Sequence, residues 1–422
     1  MRKMKDSDID FIGEIPVDWE IRRIKSLGRA RNGLTYRPED ITGEEGVLVL
    51  RSSNVQNGRL SFEDNVYVSC KIPSELMVKP NDILICSRNG SKELIGKNAI
   101  ITKDINASFG AFMMIFRCQS PRYMYYVLNS PVFSYYLGSF FTSTINQLTG
   151  QNFGNMKIPY CTDEKEQNSI SDFLDRKCIE IDSLVTDIQT QINILEQYKR
   201  SVITETVTKG MNSDVAMKDS GVQWIGAMPA HWECNRGKYI LKYIQKPVRE
   251  DDGIITCFRD GEVTLRSNRR EDGFTMSDKE IGYQGIDVGD LVVHGMDGFA
   301  GAIGISDSRG KASPVLNVLD TEQNKKYIMY YLRSMAYSDV FLALATGIRV
   351  RSCDLRWNKL AELPYPIPPI SEQNAIVEHI DDVLEKTNAV ITDKKAQLEV
   401  LENYKKSLIY EYVTGKKEVP VQ

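Results

Sequence analysis

The chain states one long passage twice. Residues 166–208 and 372–414 align without a gap at a constant offset of 206, and 17 of the 43 positions are identical. The matches run from Glu166/Glu372, Gln167/Gln373 and Asn168/Asn374 through Asp175/Asp381 to Val207/Val413 and Thr208/Thr414. Unrelated segments of this length would agree at about two or three positions, so this is an internal repeat. A second echo opens each half: Lys5-Asp-Ser7 leads through Ile12-Gly13 and Pro16 to Trp19-Glu20, and the run recurs from Lys218 to Glu233. The period of about 210 residues is far longer than that of a solenoid, so a large module has been duplicated. A duplicated reader implies a two-part target.

At 422 residues the chain has room for two to four domains, each with its own core. Hydrophobic content of 42% and charged content of 26% are those of an ordinary globular protein. No apolar run reaches the ~18–20 residues of a membrane span, and Met1 to Asp8 turns acidic where a signal peptide needs an apolar stretch. The expected compartment is the cytoplasm, with no membrane partner. Eight cysteines, none in a Cys-x-x-Cys pair, fit reduced structural thiols. The net charge of −4 is unevenly spread. Residues 1–160 hold 20 Lys/Arg and 16 Asp/Glu, net +4, while residues 161–210 hold 6 and 10, net −4. Acid is concentrated in the repeated segments, so a nucleic acid would have to be held by the larger modules, with a partner subunit adding phosphate-binding charge.

The repeated segments read as long helices, because neither Gly nor Pro occurs between Pro159 and Gly210 or between Pro369 and Gly415. In the first, Ile181, Leu184, Ile188, Leu195, Tyr198 and Val202 fall on heptad a and d positions, with Gln191 at the one vacant d. In the second, Val390, Leu401, Tyr404 and Leu408 keep the stripe while Thr387, Lys394 and Gln397 interrupt it. Forty-three helical residues make a rod of roughly 65 Å, and the two rods are expected to pack on each other.

The intervening stretches, about 21–158 and 234–366, read as β-rich modules. Short strand-like runs such as Gly46–Leu50, Asp82–Cys86 and Asp290–His294 alternate with Gly, Asn and Asp turns. The two are cousins: Asp82, Gly90, Ile95 and Gly96 match Asp290, Gly298, Ile303 and Gly304 at offset 208. Each closes on an aromatic helical stretch carrying Tyr125-Tyr126 or Tyr330-Tyr331, then Thr149-Gly150 or Thr346-Gly347. Helical spacing makes these tyrosines core residues rather than base-stacking platforms, and Trp19 and Trp232 are structural. The expected division is 1–160, 161–212, 213–369 and 370–422, an α+β chain of two modules and two helical segments. Shared scaffolds with different loops are what two readers of different sequences would look like.

No catalytic constellation emerges. Phosphate loops, Gly-x-Gly-x-x-Gly turns and amino-methyltransferase motifs are missing, and His231, His294 and His379 form no metal pattern. Asp163-Glu164-Lys165 resembles a nuclease cluster but sits where a helix begins, and acids are common in a first turn. What the modules offer is Arg, Lys, Asn and Gln in loops, suited to base edges and phosphates. Candidate contacts are Arg51, Asn54, Arg88, Asn89, Lys92, Gln151 and Asn152 in the first module. In the second they are Arg259, Arg266, Arg269, Arg270, Lys311, Arg349 and Arg351.

The layout resembles the specificity subunit of Type I restriction-modification enzymes across nearly the whole chain. The carrying motifs are Ile12-Gly13-x-x-Pro16-x-x-Trp19-Glu20 with its repeat, Gly289-Asp290 running to Gly301–Gly304 and Gly310–Pro314, and Ile367–Gln373 opening a long helix. The resemblance implies two α+β target-recognition domains, each reading half of a bipartite site in double-stranded DNA, and two helices in an antiparallel coiled coil that sets the spacer. It implies assembly with two modification (methyltransferase) subunits and, in the full nuclease, restriction subunits. S-adenosylmethionine, ATP and Mg²⁺ would belong to those partners, so no cofactor is expected here. The first module departs from the second: Ser108-Phe109-Gly110 stands for Ser313-Pro314, and Ser87-Arg88-Asn89 for Gly295-Met296-Asp297. Rival readings are a stand-alone nuclease or methyltransferase, which would need a motif this chain lacks, and a coiled-coil scaffold without sequence-selective DNA binding.

Overall fold

The two Gly- and Pro-free stretches fold as single helices, Glu164–Lys209 and Ile370–Val413. Each stops at a glycine, Gly210 or Gly415, whose φ of +74° or +69° an L side chain would resist. The computed structural model describes residues 2–140, 146–269, 281–344 and 355–420. By contact the chain forms two compact units, residues 1–188 with 395–422, and residues 189–394. Each unit therefore holds one β-rich module, half of the first long helix and half of the second.

In the first unit a four-stranded antiparallel sheet runs in the order Asn98–Ile100, Ile83–Cys86, Met113–Cys118, Gly28–Asn32. A second sheet orders Ala107–Phe109, Val47–Leu50, Tyr67–Val68 and Ile41–Thr42, its first pair parallel. Lys157–Tyr160 pairs with Glu20–Arg23, joining the two ends of the module. The second unit repeats the first sheet as Ile303–Ile305, Leu291–His294, Leu316–Asp320 and Lys242–Ile244. It also repeats the closing pair, Glu233–Arg236 with Pro364–Ile367. The registers agree, since Ile83 faces Phe116 as Leu291 faces Leu319.

The residues the repeat keeps identical are the ones that fasten each module to its helices. In the first unit Trp19 Nε1 donates to Glu166 Oε2 (3.3 Å), Tyr126 OH to Asp175 Oδ1 (2.5 Å) and Tyr123 OH to the Val413 carbonyl (3.4 Å). In the second, Trp232 Nε1 donates to Glu372 Oε1 (3.1 Å), Tyr330 OH to Asp381 Oδ1 (2.5 Å) and Tyr327 OH to the Val207 carbonyl (3.1 Å). Tyr126 thus answers to Tyr330, one place away from the match of Tyr125-Tyr126 with Tyr330-Tyr331. The tyrosines expected in the core are there, all but Tyr125 almost fully buried.

Within each unit the two helix segments run antiparallel. In the first, Lys405 Nζ reaches Asp182 Oδ1 (2.5 Å) and the rings of Phe173 and Tyr412 lie 4.5 Å apart. In the second, Lys394 Nζ donates to Gln191 Oε1 (2.5 Å), and Ile203 and Val207 share a core with Ile376 and Ile380. The buried stripe differs from the expected one at every second step. Ile181 and Leu408 are buried and Ile188, Leu195, Val202 and Leu401 half-buried, but Leu184, Tyr198, Val390 and Tyr404 are about half exposed. Their places on the inner face are taken by Val185, Lys199, Ile391 and Lys405. Both spacings, i+3 and i+4, offer apolar residues or lysines with long carbon stems here. The i+4 choice buries Ile192 and leaves Gln191 outside, which avoids a glutamine in the seam.

Candidate nucleic-acid interface

In the first module, four segments distant in sequence meet where the strands Val47–Leu50, Ile83–Cys86 and Ala107–Phe109 end. Arg51 follows the first strand, and its N–H donates to Asn54 Oδ1 (2.9 Å), closing the turn Ser52–Asn54. Asn89 Nδ2 donates to Ser52 Oγ (3.0 Å), tying the 87–92 loop to that turn. The N–H groups of Ser87 and Arg88 donate to the Phe112 carbonyl at 2.9 and 3.1 Å, and Leu148 N–H donates to the Ser87 carbonyl at 2.7 Å. Arg88 holds its guanidinium 5.1 Å from the centre of the Phe112 ring, which is 58% exposed. Arg51, Arg88, Asn89 and Phe112 thus share one tip, with Lys92 exposed further along the loop.

Two of the expected contacts stand elsewhere, and a third, Asn54, is enclosed in its loop. Gln151 and Asn152 lie on the short helix Gly150–Asn155, capped by Thr149 Oγ1, which packs on the turn Ile24–Ser26. Asn54 is fully buried, and its Nδ2 is taken by the Ser61 carbonyl (3.0 Å), Asn65 Oδ1 (3.2 Å) and the Asp64 carbonyl (3.3 Å). With its amide satisfied inside the loop it braces Arg51 and cannot reach a base. Arg51 itself pairs with Asp64 at 2.9 Å.

In the second module the hairpin Ile255–Cys257/Val263–Leu265 carries the arginines. Arg259 reaches Asp297 (2.9 Å), which links the hairpin turn to the loop after His294. Arg269 lies over the Phe258 ring (4.2 Å) and pairs with Asp260 (2.6 Å) and Glu262 (2.9 Å). Arg266 Nε donates to Thr256 Oγ1 (3.4 Å), and Lys311 is half-buried on the strand Gly310–Ala312. Exposed pairs of this kind contribute only about 0–1 kcal/mol, so a phosphate or guanine can displace the carboxylate. His294 Nδ1 accepts from the N–H groups of Met296 (3.2 Å) and Asp297 (2.9 Å), and burial pushes its pKa down. Its ring is then neutral with the proton on Nε2. Arg270, Arg349 and Arg351 lie outside the described residues, as does Thr346-Gly347.

Among the described residues no group of three or more His, Cys, Asp or Glu could hold a metal ion, and no helix is long and apolar enough to cross a membrane. The tips present hydrogen-bond donors, cations and one exposed ring. Such groups recognise base edges and phosphates. Phe112 was not anticipated; a lone aromatic in the loop Gly110-Ala111-Phe112 was its only trace in the sequence.

A family model for the Type I restriction modification DNA specificity domain matches residues 16–194. The specificity subunit of the Type I restriction enzyme StySPI from Salmonella potsdam is 22% identical over 396 residues, covering 88% of this chain and 83% of that protein. A putative type I restriction enzyme MjaX specificity subunit from Methanocaldococcus jannaschii is 25% identical over 434 residues, covering 96% and 95%. The chain is thus similar in sequence to Type I restriction enzyme specificity subunits. A solved structure described as the basis of complex assembly and conformational transition of the type I R-M system shares this fold, with a TM-score of 0.62 at 13% identity, covering 96% of this chain and 99% of that one. The family model reaches only into the first long helix, yet the second unit is built on the same sheet and the same fasteners. The two modules differ from each other in the loops between these shared strands.

Proposed function

We propose that this chain is the sequence-reading, non-catalytic subunit of a Type I restriction-modification complex. Residues 1–160 and 213–369 are its two target-recognition domains, each reading one half of a bipartite site in double-stranded DNA. Residues 161–212 and 370–422 are the helical segments that set the interval between the halves. The observation that carries this reading is the contrast between duplicated fasteners and unlike tips. Trp19, Tyr126 and Asp175 recur as Trp232, Tyr330 and Asp381, whereas Met296 stands in the place of Arg88 and the second module sets an arginine over a ring on another segment, Arg269 over Phe258. In the first module the contacts are Arg51, Arg88, Asn89 and Lys92 at the tip, and Gln151 and Asn152 on the short helix Gly150–Asn155. In the second they are Arg259, Arg266, Arg269, Arg270, Lys311, Arg349 and Arg351.

The complex works in the cytoplasm with two modification subunits, joined by restriction subunits in the nuclease. Two outward apolar places support the pairing with two. Leu184 and Tyr404 are exposed in the first unit, Tyr198 and Val390 in the second. The repeat relates Leu184 to Val390 and Tyr198 to Tyr404. The decisive experiment replaces residues 21–158 with the same region of a relative and maps methylated positions across the genome. One half of the methylated motif should change and the other stay. A change in both halves, or in neither, would show that the modules are not separate readers.

A further inference from the structure

Beside the strand Gly28–Asn32, at the edge of its sheet, the first unit has an open cleft of about 680 Å³. Five cations line it, Arg22, Lys25, Arg29, Arg31 and Arg117, against one carboxylate, Glu75. Arg22 pairs with Glu20 (2.8 Å), Arg31 with Glu75 (3.3 Å) and Arg117 with the buried Asp82 (2.7 Å). Lys25 and Arg29 are exposed, and among the described residues neither has an acid within ion-pair distance. Arg29 also faces Arg117 directly across the strand pair. Like charges placed so are unfavourable neighbours unless an anion lies between them.

The second unit is the internal control, because it has the same strands with its cations matched by acids. Lys238 stands where Lys25 does, counting from the repeated Trp-Glu, and Lys242 stands where Arg29 does. Lys242 faces Asp320, in the place where Arg29 faces Arg117. Lys242 also pairs with Glu322 (3.2 Å) and Lys238 with Glu362 (3.0 Å). By strand register those two acids replace Gln119 and Asn155 of the first unit. The scaffold therefore folds with this edge neutralised. Its excess positive charge in the first unit serves something other than folding.

We propose that this cleft is a phosphate-binding site that grips the sugar–phosphate backbone beside the first half-site, and that the second unit has no such grip. This rests on the DNA-reading function proposed above. Arg29 and Arg31, two apart on an extended strand, project to one face about 6.8 Å apart, and with Lys25 they form a row of cations rather than a single anion pocket. Contacts of this kind position the duplex and carry no sequence information.

The test compares the full chain, assembled with its modification subunits, as wild type, Lys25→Ala/Arg29→Ala, Lys25→Arg/Arg29→Lys and Lys238→Ala/Lys242→Ala. Binding of a fluorescent cognate duplex, and of one altered in the first half-site, is followed by anisotropy across a KCl series. Two lost phosphate contacts should make the slope of log K against log salt shallower by about 1.8. Both duplexes should weaken equally, the charge-preserving variant should keep the wild-type slope, and the second-unit variant should change it by less than a third as much. An unchanged slope in Lys25→Ala/Arg29→Ala overturns the proposal. So does a loss confined to the cognate duplex, which would mean base reading, or an equal loss in the second-unit variant. The slope can be read on any duplex. A wild type that does not distinguish the two duplexes would therefore defeat the specificity reading while the cleft is still tested.

Discussion

Trp232 donates its indole N–H to Glu372 at 3.1 Å, so the first turn of the second long helix is anchored to the motif that opens the second module. Glu372 also meets His231 Nε2 at 2.8 Å. The indole is fully buried, and without the carboxylate its N–H would have no partner. Glu372→Ala should therefore cost about 1–3 kcal/mol of stability, the usual penalty for stranding a buried donor. Glu372→Gln keeps an acceptor and should cost less. Urea unfolding of the two variants checks this; equal loss in both, or none in either, would mean the bond does not hold the junction.

The duplication made much of this fold legible, since identical residues 206 apart mark the same contacts in each unit. Three things were not. The helix stripe could not be phased because Leu184 and Val185, or Tyr198 and Lys199, are neighbours that both suit a seam by their carbon chains. The tyrosines were matched as dipeptides, whereas the contact to Asp175 or Asp381 picks out Tyr126 and Tyr330. Asn54 was indistinguishable from a base reader because an amide that fits adenine also fits backbone carbonyls. The meeting of Arg51, Arg88 and Phe112 depends on the strand order, which no local pattern encodes.

Acid should loosen the second unit through Asp287. Lys246 (2.8 Å) and Arg309 (2.7 Å) hold its pKa down to about 2, from an ordinary value near 4. A depressed carboxylate contributes stability that is complete above the unfolded pKa and is lost as the pH falls through the folded one. The fall should lie between about pH 4 and pH 2. Thermal melts of wild type and Asp287→Asn across that window provide the check. The variant should melt lower at pH 7 and lose less between pH 4 and 2; parallel curves would assign the acid sensitivity to other groups.

At the first tip, Arg88 lies over Phe112, and the proposed role for it is to read a base edge. Truncating a base-reading arginine should cost about 1–3 kcal/mol and relax the specificity at one position. Arg88→Ala should therefore alter one base of the first half of the methylated motif. Phe112→Leu should have a smaller effect, through the orientation of Arg88. Uniform weakening on every sequence would instead make Arg88 a phosphate contact.

If the helices set the spacer, lengthening them should lengthen it. Gln191 meets Lys394, so one heptad added after each of these residues keeps the antiparallel register. Seven helical residues add about 10 Å, equivalent to about three base pairs. The methylated motif of that variant should keep both halves and gain a longer interval. An unchanged interval in a complex that still assembles would take the spacer away from the helices.

The outward apolar residues on those helices predict how many modification subunits attach. Leu184 and Tyr404 belong to the first unit, and the register of Asp182 with Lys405 sets them at about the same level of the helix pair. Neither supports the inner face, so an aspartate at either position should leave folding nearly unchanged; surface substitutions of this kind usually shift stability by within about 0.5 kcal/mol. A buried charge in an interface is far more costly, typically several kcal/mol when unpaired. Leu184→Asp/Tyr404→Asp should release one modification subunit and keep the other, and adding Tyr198→Asp/Val390→Asp should release both. Native mass spectrometry of the purified assemblies counts them directly. Two subunits retained in the fourfold variant would move the docking surface off the helices and onto the modules.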